Sequence, residues 1–157
     1  RYPVLRSTSF RSNREVLDAA GNGLGRTESA WFSELGELMT IEQWHDHGRR
    51  SLGMYVSDRA DAFLVYFHSG WDTIEVSLPG APWALRYTVE AHSGLASELP
   101  RKRLTPGSTL TLPGRTVLVL SADVRSGAQL VSAPHGASRG GAGTSEASRH
   151  TPGDHRA

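Results

Sequence analysis

The segment Ala62-Phe63-Leu64-Val65-Tyr66-Phe67, followed across His68-Ser69-Gly70-Trp71-Asp72 by Thr73-Ile74-Glu75-Val76-Ser77-Leu78, decides the fold. The first run is apolar on both faces and rich in aromatic and β-branched residues, as a central strand covered on each side should be. The second alternates strictly, which turns Ile74, Val76 and Leu78 inward and Glu75 outward. Two such runs joined by a short polar turn predict a hairpin in a packed sheet.

Working outward, the same grammar repeats. Pro79-Gly80-Ala81-Pro82 is a turn, and residues 83–89 predict the next strand. Thr109-Leu110-Thr111-Leu112 alternates, Pro113-Gly114 turns the chain, and Thr116-Val117-Leu118-Val119-Leu120 is expected to close the sheet. Upstream, residues 51–56 predict a strand ended by Ser57-Asp58-Arg59. Trp31-Phe32 and Leu38-Met39 predict a hairpin with Gly36 in its turn. Thr40 followed by Gln43 is a capping-box pattern, so residues 41–47 predict a short helix ended by Gly48. Short strands at spacings of about 8–12 residues imply an all-β, antiparallel β-sandwich carrying one short helix.

Both ends differ from this middle. Residues 1–28 are polar and become Gly-rich at Gly21-Asn22-Gly23-Leu24-Gly25, so alone they bury too little surface to stay ordered. The chain opens on Arg1 rather than Met, and Arg1-Tyr2-Pro3-Val4-Leu5-Arg6 reads as a segment of something longer. Residues 29–124 form the expected sandwich domain. Residues 125–157, rich in Gly, Ser, Ala, His and Arg, read as a disordered tail.

Composition narrows the function. The 157 residues carry 17 Lys+Arg against 16 Asp+Glu, a formal charge of +1, which supplies no global attraction to nucleic acid or an anionic membrane. No apolar run reaches the roughly 18 residues of a spanning helix. With no cysteine there is no disulfide framework and no thiolate chemistry, which fits a reducing cytoplasm.

No constellation for chemistry emerges from the residue pattern. Glycoside hydrolysis needs two carboxylates flanking the bond, about 5–5.5 Å apart in a retaining enzyme. Glu34, Glu37, Asp58, Asp61 and Asp72 fall in or beside turns and Glu75 points outward, so all six read as solvated charge. His45-Asp46-His47 places two histidines at i, i+2, unlike the i, i+4 pair of a zinc helix, so no metal ligand is nominated. No Gly-x-Ser-x-Gly elbow is present, and the glycines at 21–25 lack the strand and helix of a phosphate loop. Pro100-Arg101-Lys102-Arg103 reads as a solvated basic loop.

The tryptophans carry more information. Trp31, Trp44 and Trp83 stand in apolar contexts expected of core or domain-interface residues. Trp71, at the tip of the turn between two strands, is the candidate for contact with a sugar ring. The reading that stands ahead of it is a structural role.

The order Trp31…Leu35-Gly36…Met39-Thr40…Trp44, the strand Phe63-Leu64-Val65-Tyr66-Phe67 and Leu78-Pro79…Trp83 resemble the C-terminal domain of bacterial glycogen debranching enzymes, the isoamylase-type members of the α-amylase superfamily. Pro3-Val4-Leu5-Arg6 and Phe10 resemble that family's link between barrel and C-terminal domain. Departures are Glu28 where Asp is usual, Gln43 instead of Asp before Trp44, His68-Ser69 for Asn-Ala, and Tyr87-Thr88-Val89 where Asp-Thr is usual. A glycogen-trimming subfamily and one working beside trehalose-forming enzymes both remain open.

The resemblance implies a parent enzyme whose (β/α)₈ barrel hydrolyses α-1,6 branch linkages with retention, residues 1–28 linking that missing barrel to the sandwich. No residue here matches the barrel's catalytic motifs, so no catalytic residue is carried over and no cofactor is implied. The sandwich would stabilise the barrel and extend contact with α-glucan (glycogen, maltodextrin). The alternative is a free-standing carbohydrate-binding or protein-interaction module. A metal-dependent enzyme using His45 and His47 is the third reading.

Overall fold

Strand pairing sets the architecture. The structure, a computed structural model, describes residues 3–6, 13–94 and 103–124. The expected tail, with His135, His150 and His155, lies outside the described residues, as do Pro100, Arg101 and Lys102. After a 3₁₀ turn at Pro3–Arg6 come β1 (Glu15–Leu17), β2 (Gly23–Thr27), β3 (Ser29–Phe32), α1 (Ile41–Trp44), β4 (Ser51–Ser57) and β5 (Ala62–His68). Then follow β6 (Ile74–Ser77), β7 (Arg86–His92), β8 (Arg103–Leu104), β9 (Thr109–Leu112) and β10 (Thr116–Asp123).

Six strands form one antiparallel sheet in the order β3-β4-β5-β10-β7-β8. The antiparallel ribbon β6-β9 makes the second layer, and β1-β2 is a separate hairpin. The hairpin expected across residues 68–72 does not form: β5 pairs with β4 and β10, while β6 crosses to the other layer and pairs with β9, where Val76 and Leu78 cover the core. The fold is the all-β antiparallel sandwich that the sequence implies.

Alternation places the core between these layers. Ala62, Leu64 and Tyr66 of β5 meet Leu118, Leu120 and Ala122 of β10, with Val76, Leu78 and Leu112 supplied from the second layer. Three buried tyrosines span the gap. Tyr55 donates its hydroxyl to the Trp83 carbonyl at 2.7 Å, Tyr66 to that of Ser77 at 2.7 Å, and Tyr87 to that of Pro79 at 3.0 Å. A buried hydroxyl is costly without a partner, so these bonds let large aromatic rings occupy the core. Burial pushes the ionisation of all three upward, Tyr55 to about 12.

Several expectations change in detail. The capping box forms as read, with Gln43 N–H donating to Thr40 Oγ1 and Gln43 Oε1 accepting from Thr40 N–H. The helix nevertheless ends at Trp44, because Asp46 Oδ1 takes the Gly48 N–H and folds the chain into a turn. The Gly36 turn closes with Ser33 N–H on the Glu37 carbonyl and Met39 N–H on that of Trp31. β7 begins at Arg86, with Trp83 in the turn before it, and β10 lies in the middle of its sheet between β5 and β7 rather than closing it.

Residues 13–28 are the largest departure, since they contain the β1-β2 hairpin. An isolated hairpin is marginal, and this one is anchored to the turn after β4. Buried Arg26 donates to the Asp58 carbonyl at 3.2 Å, Arg59 Nε to that of Leu17 at 3.3 Å, and Ser57 Oγ to that of Thr27 at 2.8 Å.

The other face of the six-stranded sheet is also apolar. Trp31, Met54, Val65 and Val119 form one cross-strand row, and Leu52, Phe67 and Val117 form the next. Trp31 is 38% exposed and Phe67 40%. Among the described residues no helix is long and apolar enough to cross a membrane.

Candidate functional site

Trp71 stands where its turn position suggested, 75% exposed between β5 and β6. One face of its indole is already occupied. The Arg115 guanidinium lies over the ring, 3.1 Å from its centroid, and Arg115 N–H donates to the Gly70 carbonyl at 2.8 Å. The approach is so close that a Cβ on Gly114 would sit 2.1 Å from the Trp71 carbonyl oxygen, so only glycine fits there. The two turns are latched together, which gives Trp71 a structural job and halves its surface for stacking.

Several of the carboxylates and histidines are engaged locally. Glu34 pairs with Arg49, Asp58 Oδ1 accepts the N–H groups of Ala60 and Asp61 at 2.8 Å each, and Glu75 is exposed on β6. The His45 ring meets the Ile41 carbonyl at 2.8 Å and caps α1, and Asp46 organises the following turn. Buried His68 directs Nε2 at the Asp72 carbonyl, 2.7 Å away; a carbonyl only accepts, so this nitrogen carries the proton. Among the described residues, no three His, Asp or Glu side chains gather as metal ligands.

The remaining tryptophans converge. Trp31 projects from edge strand β3, Trp44 ends α1, and Trp83 lies in the turn before β7; all three line one groove of about 630 Å³. Its other described walls include Leu38, Met39, Asn13, Thr27 and Ser29. The rings are held in place. Trp44 meets Trp31 edge-to-face at 5.6 Å, and Trp83 meets Phe32 and Tyr55 edge-to-face at 5.0 and 5.2 Å. Trp83 packs on the core as expected, whereas Trp44 is 50% exposed and Trp31 faces solvent beside it.

Local sequence explains the convergence. The Gly36 turn reverses the chain after β3 and brings Met39 back to Trp31. The capped α1 then places Trp44 over the same strand. The apolar contexts of these tryptophans in the sequence mark all three as core or interface residues but do not place them in one groove. The signal available was the close spacing of Trp31, the Gly36 turn and the Thr40 cap.

A shallower groove of about 310 Å³ runs past the other side of Trp44, with Phe67 and Leu52 in its floor. A polar recess of about 320 Å³ beside it contains Glu34, Arg49, His68 and Asp72.

Compared with protein-family models and with curated proteins, the chain matches neither.

Proposed function

We propose that this chain is the C-terminal, non-catalytic sandwich of an isoamylase-type glycogen debranching enzyme of the cytoplasm. Its catalytic barrel hydrolyses α-1,6 branch linkages in glycogen and maltodextrin, and the sandwich stabilises that barrel and contacts α-glucan. The observation that supports this reading is the second apolar face of the six-stranded sheet. Trp31, Met54, Val65, Val119, Leu52, Phe67 and Val117 form a contiguous patch opposite the core. A patch of that kind marks an interaction surface, because apolar area left in water forfeits about 25 cal/mol per Å² of burial. A barrel packed on this face satisfies it. The motif resemblance from Trp31 to Trp83 supplies the identity of that barrel.

The alternative, a free-standing carbohydrate-binding sandwich, is favoured by the tryptophan-lined groove, which would suit such a module equally well. An assay separates the two. Native protein is captured from its source cells with an antibody to residues 30–122 and incubated with branched glucan, beside the purified 157-residue chain. The proposal predicts release of linear maltodextrins by the captured protein and none by the chain alone. Captured protein without hydrolysis, or hydrolysis by the 157 residues themselves, contradicts it.

A further inference from the structure

We propose that Asn22 is a self-modification site. The backbone nitrogen of Gly23 attacks the Asn22 side-chain amide and leaves aspartate or isoaspartate at position 22, the Asp18 carboxylate restrains the reaction, and its completion loosens the β1-β2 hairpin.

The step balances with water alone. The Gly23 nitrogen bonds to Asn22 Cγ and gives its proton to solvent, while Nδ2 leaves as ammonia. Water then opens the five-membered imide at one of its two carbonyls. The chain afterwards runs through the main-chain carbonyl, as aspartate, or through the side-chain carbonyl, as isoaspartate.

Sequence and register place the site. The chain has two asparagines, Asn13 and Asn22, and both are exposed to the water the reaction consumes. Asn13 precedes Arg14, whereas Asn22 precedes a glycine, which has no side chain to obstruct its nitrogen. Asp18 N–H donates to the Asn22 carbonyl at 2.8 Å, which makes Leu17 and Gly23 a non-hydrogen-bonded pair. The Gly23 N–H therefore points away from β1, and none of the described hydrogen bonds uses it.

Asp18 works against the attack. Its carboxylate accepts the Asn22 N–H at 2.9 Å and the Asn22 Nδ2–H at 3.0 Å. That side-chain bond is the foremost reason the Asp18 carboxyl lies below its ordinary range, so the restraining group is charged at neutral pH. One carboxylate thus draws the amide to the amino flank of Asn22, and the Gly23 nitrogen lies on the carbonyl flank. Ring closure requires the amide to leave Asp18.

Conversion undoes this loop. Position 22 loses its Nδ2–H donor and gains a carboxylate facing that of Asp18. In the isoaspartate form an extra main-chain methylene separates the N–H and the carbonyl that Asp18 engages together. A short hairpin is marginal, so this one loosens from the turn where Arg26 reaches the Asp58 carbonyl.

The test is incubation of the chain in mildly alkaline buffer, followed by peptide mapping that separates asparagine, aspartate and isoaspartate. The peptide containing Asn22 is expected to split into all three forms while Asn13 stays unchanged. Gly23→Ala is expected to lose the products in buffer and in urea alike, because the obstruction is local. Asp18→Ala should raise the rate about threefold or more, an advantage that vanishes in urea, where neither chain holds the restraint. Converted protein should be cut faster by trypsin after Arg26, which is buried in the closed hairpin. An intact Asn22, conversion of Asn13 at the same rate, or products surviving Gly23→Ala overturns the inference. So does an Asp18→Ala rate that is unraised in buffer or still raised in urea, or equal cutting of converted and unconverted protein.

Discussion

The Tyr66 hydroxyl crosses the sandwich to the Ser77 carbonyl, a 2.7 Å hydrogen bond that ties the centre of the six-stranded sheet to the edge of the ribbon above it. Tyr66 is fully buried. Tyr66→Phe keeps the ring and leaves the carbonyl without this donor, an exchange that costs about 1–3 kcal/mol. The urea midpoint of the variant should fall with an unchanged slope; an unmoved midpoint would show that the bond contributes nothing.

Alkaline pH attacks the same three tyrosines. Burial raises the ionisation of Tyr55, Tyr66 and Tyr87 above the ordinary value of 10, to about 12 for Tyr55. The unfolded chain therefore loses these protons first. Their contribution to stability is complete below pH 10 and drains away as pH rises through the folded values. Each contributes a slope of up to about 1.4 kcal/mol per pH unit in that window. Urea midpoints should be level to pH 10 and fall steeply above it, less steeply in Tyr66→Phe.

Gly53 pairs with Tyr66 across β4 and β5. A Cβ at Gly53 would stand 2.8 Å from Tyr66 Cε1 and 3.2 Å from Phe32 Cβ. Gly53→Ala overpacks this contact and should cost about 1–3 kcal/mol, visible as a lowered thermal midpoint. A rise in that midpoint would mean the rings have room to shift.

Phe67 lies on the apolar face that the proposed function assigns to the barrel. Phe67→Thr keeps a strand-forming residue and removes part of that patch. Self-association of the isolated chain, followed by light scattering, should decline while stability changes by about 1 kcal/mol or less. Undiminished association would place the sticky surface elsewhere.

Much of this fold is legible in local pattern. The two-faced apolar run of β5 marks a central strand, alternation in residues 74–78 marks a strand with one buried face, and the Thr40–Gln43 cap marks the start of α1; the pairing of β6 with β9 instead of β5 was not legible, because a partner in the other layer leaves no local signal. Thr116-Val117-Leu118-Val119-Leu120 carries the same two-faced signature as β5, yet its place at the end of the strand sequence hid its central position; order in a sheet depends on long-range pairing. The β1-β2 hairpin was hidden for a related reason. Its stability comes from Arg26 reaching the Asp58 carbonyl, a contact 32 residues away. Exposure of Trp71 could be read from its turn, but not the Arg115 guanidinium over its ring. The tryptophan groove needed three dimensions, since Trp83 is separated from Trp31 by β4, β5 and β6.

The most direct test of the account is the size of the native polypeptide, blotted from source cells with an antibody raised to residues 30–122. A C-terminal sandwich of a debranching enzyme gives a band larger than the 17.0 kDa of this chain by at least a barrel, about 250 residues or more. A band near 17.0 kDa would contradict it and make this sandwich a free module.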